Sequence, residues 1–216
     1  MNEQVDYENI DSRELQAFVK YDFVDPVPDF SAVLSWCVKN DKPELYVAYM
    51  ENYPDEWLST EDMDANFRNR FLSTMPLGQR ICRLAVTEFN DKIDSEAVAA
   101  ILSDSALLHL NLVNSLCSEA AFELLMSKLA INTRLKSMEI QFYGRAETFP
   151  IIKNIKWALE ANATLELLVV KVPLDHGEQA LLAQLALDEP RFRLDITLPG
   201  EVSDDSDDSD DSEVTA

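Results

Sequence analysis

The sequence has little glycine, cysteine and histidine, and each shortage argues against a class of function. Its four glycines form neither a G-x-G-x-x-G segment nor a Walker loop for binding phosphate groups. The cysteines, Cys37, Cys82 and Cys117, are odd in number and lack a C-x-x-C spacing, which favours buried free thiols over disulfides or zinc. The two histidines, His109 and His176, stand in no motif with a nucleophile. We therefore expect no enzyme activity, no cofactor and no metal site.

Long apolar runs are also lacking. No stretch approaches eighteen consecutive apolar residues, and the first twenty residues carry acids rather than a basic start followed by an apolar stretch. We therefore expect neither a membrane span nor a secretory signal, and a cytoplasmic or nuclear location.

Basic residues are scarce, with 18 Lys and Arg against 40 Asp and Glu. Residues 1–70 hold 16 acids and 6 bases, residues 71–200 hold 16 acids and 12 bases, and residues 201–216 hold 8 acids and no base. A polyanionic chain repels phosphate, so counterion release cannot drive nucleic-acid binding. The charge favours a basic protein partner instead.

The last sixteen residues form a separate segment, because SDDSDDSDDSEV has no apolar residue before its final valine. Such a composition cannot offset the entropy cost of ordering and predicts a disordered tail at 201–216. The tail is either a solubilising brush or a substrate of an acid-directed kinase of the casein kinase type. In the second case, each phosphate adds about −1.5 to −2 charges. The predicted phosphorylation sites are the serines followed by acids: Ser203, Ser206, Ser209 and Ser212.

One pattern repeats along the chain, most clearly in LAINTRLKSMEIQ at 129–141 and LEANATLELLVVK at 159–171. Both copies read L-x-x-N-x-x-L-x-x-[LM]-x-[IV]. The same frame fits twice upstream and once downstream, with periods of 26, 28, 30 and 26 residues. This regularity predicts a repeat architecture. The periods are counted at Ile81, Leu107, Leu135, Leu165 and Arg191.

Each part of the pattern predicts a local structure. The final alternation predicts a short strand with one buried side, and the segments between strands have apolar residues near a 3.6 period, which predicts helices. One of these helices begins after Ser118, a favoured N-cap residue. The position before each strand carries residues that readily adopt the left-handed conformation that ends a helix. We therefore expect helices to end there, and we predict positive φ angles at Asn132 and Asn162. The five positions are Gly78, Asp104, Asn132, Asn162 and Asp188.

The pattern resembles the leucine-rich repeat family, in its ribonuclease-inhibitor-like subclass, over residues 75–198. This resemblance implies an α/β fold: a short solenoid with parallel strands on its concave face and helices on its convex face. The family's usual asparagine or cysteine after each strand is replaced, so we expect an irregular solenoid. The replacements are Phe89, Ser115, Tyr143 and Pro173.

The domain organisation follows from the repeat. We expect an acidic arm at 1–27, a mostly helical capping unit at 28–74, the repeat domain at 75–200 and the tail at 201–216. Within the capping unit, Asn40 is expected to end a helix, residues 45–49 to form a strand, and residues 63–72 to form an inserted helix. Terminal units of solenoids are usually atypical.

In a solenoid, the exposed strand side chains form a continuous binding surface. We therefore predict a non-catalytic interaction module, an adaptor or regulator, that binds a protein partner on the concave face. The apolar pair Leu167 and Val169 is expected to anchor the partner, unless the N-terminal segment or a helix covers it. The predicted face comprises Arg83, Ala85, His109, Asn111, Ser137, Glu139, Leu167, Val169, Arg193 and Asp195.

The repeats are also similar to those of the tropomodulin C-terminal domain. That likeness implies an alternative function, a cytoskeletal protein that binds the pointed end of actin filaments. Two departures argue against it. Residues 1–30 show no paired amphipathic helices of the tropomyosin-binding kind, and after Ile196 the chain runs into Pro199 and Gly200 instead of a closing helix.

Overall fold

A computed structural model describes residues 30–51, 53–75, 80–89, 91–104, 106–115, 117–142, 151–173 and 178–197. Several sequence predictions lie outside these residues: the arm at 1–27, the tail with its four serines, and the positions of Gly78, Tyr143 and His176. None of the described helices is long and apolar enough to cross a membrane.

The described chain alternates helices and strands. Its elements, in order, are α1 (Phe30–Lys39), α2 (Pro43–Met50), β1 (Leu58–Ser59), α3 (Ala65–Thr74), β2 (Arg83–Thr87), α4 (Asp91–Asp104), β3 (His109–Ser115), α5 (Glu119–Ile131), β4 (Ser137–Phe142), α6 (Ile152–Ala161), β5 (Leu167–Pro173), α7 (Gln179–Asp188) and β6 (Phe192–Thr197).

The six strands form one parallel sheet in sequence order, β1 to β6. Each strand is joined to the next through at least one helix. Since parallel crossovers are right-handed, the helices that connect the strands lie on the same face of the sheet. The α/β class and the repeating strand-and-helix plan predicted from the sequence are therefore confirmed.

The strand register confirms the predicted frame in four consecutive repeats. Leu84 pairs with Leu110, Leu110 with Met138, and Met138 with Leu168, which are the partners that the sequence frame aligns. The sheet is irregular where β3 meets β4, with a shift between Leu112 and Ser115.

The predicted frame is wrong by two residues in the last repeat. Leu168 pairs with Phe192, whereas the sequence frame aligns it with Leu194. Because successive strand residues alternate between faces, a shift of two leaves Arg193 and Asp195 on the predicted side of the sheet.

The predicted strand at 45–49 is also wrong, because these residues lie inside α2. Pro43 sits in the first turn of that helix, where its fixed φ angle is favourable and its missing N–H costs nothing. The first strand is β1, whose Leu58 pairs with Leu84 at the same spacing that separates Leu84 from Leu110. The predicted end of α1 near Asn40 and the helix near 63–72 are confirmed, and the side chain of Asp64 caps α3.

The core lies between the sheet and the helices. The strand residues that face the helices are buried and join one apolar cluster with the inner faces of the helices, including Leu102, Leu129 and Leu159. Ser118 caps α5 as predicted, accepting a hydrogen bond from the backbone N–H of Ala121. Cys37 and Cys117 are buried thiols that form no disulfide, whereas Cys82 is half-buried.

The prediction of positive φ where the helices end is wrong at both described asparagines. Asn132 has φ −69° and Asn162 has φ −87°. The left-handed residues of the repeats lie instead at the other ends of two strands, at Glu88 with φ 55° and Asn114 with φ 52°. The asparagines are therefore selected for their side-chain hydrogen bonds and not for backbone freedom.

Three side chains, Asn132, Asn162 and Arg191, join each repeat to the one before it, and we call them the spine. Asn162 is buried, and its Nδ2 donates to the carbonyl oxygens of Leu129 and Asn132 at 2.5 and 2.8 Å. Its Oδ1 accepts from the backbone N–H groups of Thr164 and Leu165 at 2.8 and 2.7 Å. At the end of α5, the Leu129 carbonyl accepts from the Asn132 N–H, and Asn162 gives it a second hydrogen bond from the next repeat.

The other two members of the spine act in the same way. Asn132 donates to the Leu102 carbonyl oxygen at the end of α4. In the last repeat, Arg191 donates to the carbonyl oxygens of Leu159 and Asn162 at 2.7 and 2.8 Å. Its positive charge also lies at the negative end of the α6 dipole. The Arg191 guanidinium is paired with Glu189, and their hydrogen bond holds the pKa of Glu189 below its usual value.

Candidate functional site

The face of the sheet opposite the helices, which we call the open face, carries the side chains that alternate with the core. All ten predicted face residues lie on it, because their strand neighbours point into the core. The register arranges them in rows that cross the strands.

The first row runs along the N-terminal ends of the strands, and we call it the anchor row. By register it comprises Arg83, His109, Ser137 and Leu167. Trp57, the residue before β1, continues the row by one position, and its ring lies near that of His109. Its two apolar members are exposed: Trp57 retains 48% and Leu167 retains 38% of its accessible surface.

The polar members of the anchor row lie between the two apolar ones and contact their neighbours. The His109 Nδ1 and the Ser137 Oγ are 2.8 Å apart, and the Trp57 and His109 rings have centroids 6.5 Å apart. The Arg83 Nη1 donates to the backbone oxygen of Asp55 at 2.7 Å, which holds the guanidinium beside the start of β1. The side chains of Arg83, His109 and Ser137 are therefore held in place by contacts within the chain.

Sequence reasoning missed Trp57, because the first strand was placed at 45–49. The signal was nevertheless present in the period of the repeat. Trp57 precedes Arg83 by the same number of residues as Arg83 precedes His109, so extending the frame upstream by one more period reaches Trp57.

The second row comprises Ser59, Ala85, Asn111, Glu139, Val169 and Arg193. Val169, predicted as half of an exposed apolar anchor, retains only 7% of its surface, so the predicted pair is wrong in this half. Its register neighbours are Glu139 and Arg193, and Glu139 forms an ion pair of 2.7 Å with Lys171, two residues along β5. Long side chains thus surround Val169, which is too small to reach beyond them.

One polar atom of the second row has no hydrogen-bond partner. The Asn111 Oδ1 is buried and accepts no hydrogen bond from the described residues. A buried polar atom of this kind is rare in proteins and needs a physical reason.

The open face does not share the acidity of the whole chain. Within β2 to β6 it carries three bases, Arg83, Lys171 and Arg193, and two acids, Glu139 and Asp195. Both acids are paired, Glu139 with Lys171 and Asp195 with Arg193 at 3.0 Å. The face is therefore close to neutral, and attraction of a basic partner would have to come from other parts of the chain.

Across the described parts of the chain, no group of three or more His, Cys, Asp or Glu residues is arranged to hold a metal ion. Burial, with a smaller contribution from the Glu44 carboxylate, raises the pKa of the Cys37 thiol to about 12, which makes it a poor nucleophile at neutral pH.

Comparison with known proteins gives no relative: no protein-family model matches the chain, and a search of curated proteins finds no match.

Proposed function

We propose that the chain is a leucine-rich repeat solenoid that acts as a non-catalytic interaction module, binding a segment of a protein partner across its open, concave face. The single observation that carries this proposal is the exposure of Trp57 and Leu167 at the two ends of one row of polar side chains. Large apolar anchors with polar residues beside them are the usual energetic centre of a protein interface.

The spacing of the anchors defines the partner. Four strand intervals of about 4.8 Å separate their positions, so their backbones lie roughly 19 Å apart across the sheet. A helix of about thirteen residues, or an extended segment of about six, covers this distance. The partner therefore presents two apolar side chains at such a spacing, with polar groups between them for His109 and Ser137.

The second row supports the same surface. The paired charges on either side of Val169 would then form a polar rim.

The experiment that tests this proposal compares two substitutions of the same kind. Leu167→Asp places a charge in the anchor row, whereas Ile131→Asp places it at the exposed end of α5, away from the open face. A partner captured by the wild-type protein should be lost by Leu167→Asp and kept by Ile131→Asp, because a buried charge without a partner opposes binding. Equal recovery by both variants contradicts the proposal.

Thermal melting of both variants is the control for folding, since both positions are exposed and neither change should shift the melting temperature by much. Actin is the partner under the tropomodulin-like alternative. Inhibition of exchange at the pointed ends of actin filaments by the wild-type protein would support that function.

A further inference from the structure

The sheet ends at β6 with a backbone edge that no described strand covers. The Leu168 N–H donates to the Arg191 carbonyl at 2.7 Å, so the backbone groups of Arg191 point toward β5. By alternation, those of Arg193 and Asp195 point the same way. The backbone groups of Leu194 and Ile196 therefore point outward, in position to pair with another strand.

The same repeat carries exposed apolar side chains. Leu187 on α7 retains 82% of its surface and Ile196 on β6 retains 45%, and Leu181 on α7 is also exposed. The last unit of a solenoid normally turns a polar surface outward, because no further repeat covers it. In the described part of the last unit, Leu181, Leu187 and Ile196 instead present apolar surface to the solvent.

We propose that β6 is an interface for a second copy of this chain, with the two β6 strands antiparallel about a two-fold axis at Leu194. In this register, Arg193 lies opposite Asp195 of the second copy, and the same contact occurs a second time by symmetry. Oppositely charged cross-strand pairs stabilise an antiparallel ladder. The order Arg, Leu, Asp is thus complementary to itself, and the Arg193–Asp195 pair that each chain makes within itself lies beside that of the second copy with opposite charges facing. This arrangement favours a second copy over other strands.

The backbone geometry fits the same axis. Leu194 faces its own counterpart as a hydrogen-bonded pair, and Ile196 faces Phe192 of the second copy, whose N–H is already bonded within the chain to Glu189 and whose carbonyl can accept. Since the sheet continues through the axis, both open faces point to the same side. A dimer therefore offers two anchor rows to a bivalent partner.

The experiment is sedimentation equilibrium of the full chain from about 1 to 500 μM in about 0.15 M salt, where charges beyond about 8 Å are screened. The expected result is a transition from 24.5 kDa toward twice that mass. Arg193→Asp places like charges opposite each other twice in the dimer and should weaken dimerisation by about tenfold or more. Combining Arg193→Asp with Asp195→Arg restores both cross-strand pairs and should restore the dimer.

The double substitution also restores the ion pair within the chain, so circular dichroism and thermal melting separate dimer loss from unfolding. Ile196→Pro provides an independent check. It removes an N–H that points outward, so it should abolish the dimer while keeping the bonds to β5, and Ile196→Ala is its control. A monomer at every concentration, or a dimer unaffected by Arg193→Asp, overturns the proposal.

Discussion

The spine and the anchor row recur at nearly the same period, yet their polar side chains are in opposite situations. Asn162 of the spine is buried and its amide is hydrogen-bonded to backbone groups of two repeats, whereas the polar side chains of the anchor row are half-buried and lie between two exposed apolar side chains. A repeated polar position can therefore hold neighbouring repeats together or face a partner. What separates the two roles is the group contacted: every spine side chain donates to a carbonyl oxygen in the last turn of the preceding helix, whereas none of the described hydrogen bonds of the anchor row does.

The largest effect on stability is expected in the spine. Asn162→Ala removes the acceptor for the N–H groups of Thr164 and Leu165 and leaves both without it. It also removes one of the two donors to each of the carbonyl oxygens of Leu129 and Asn132. Because each unsatisfied buried group costs about 1 to 3 kcal/mol, with partial relaxation we expect a loss of about 3 kcal/mol. Urea denaturation measures this change in the free energy of unfolding.

Asn162→Gly is the matched control for this prediction. If backbone conformation were the reason for an asparagine at 162, glycine would be tolerated, because glycine adopts positive φ without penalty. The observed φ of −87° and the side-chain bonds predict instead that glycine destabilises at least as much as alanine. A glycine variant as stable as the wild type would contradict a stabilising role for the side-chain hydrogen bonds of Asn162.

A smaller effect is expected at Arg191. Arg191→Met keeps much of the side-chain volume but loses the hydrogen bonds to the carbonyls of Leu159 and Asn162. The guanidinium is partly exposed, so water can replace some of these bonds, and we expect a loss of about 1 kcal/mol. Urea denaturation again measures it, and a loss as large as that of Asn162→Ala would contradict the dependence on burial.

The sequence predicted the parallel α/β repeat because hydrophobic periodicity carries that information directly. The same pattern placed Leu84, Leu110, Met138 and Leu168 in the core at the observed register. It also placed the ten face residues on the side of the sheet away from the helices, since alternation along a strand fixes the face.

The errors have physical causes that a single sequence does not display. Asparagine favours both a left-handed backbone conformation and side-chain hydrogen bonds at helix ends. At Asn132 and Asn162 the side chain bonds to the end of the helix in the preceding repeat, and the sequence does not show how close that helix lies. The last repeat was misaligned because it is two residues shorter than the frame assumed, so that Phe192 and not Leu194 pairs with Leu168. The predicted exposure of Val169 was wrong because its burial depends on the size of the side chains on the neighbouring strands, which alternation along its own strand does not show.

The most direct test of the account uses two tryptophans of nearly equal exposure, Trp57 in the anchor row at 48% and Trp157 on α6 at 47%. A photo-crosslinking phenylalanine analogue is placed at each position in turn, with stability expected to change by less than about 0.5 kcal/mol at either exposed site. The account predicts that position 57 crosslinks the partner that Leu167→Asp loses, and that position 157 does not. Equal crosslinking from both positions, or crosslinking from 157 alone, would contradict the assignment of the open face as the binding surface.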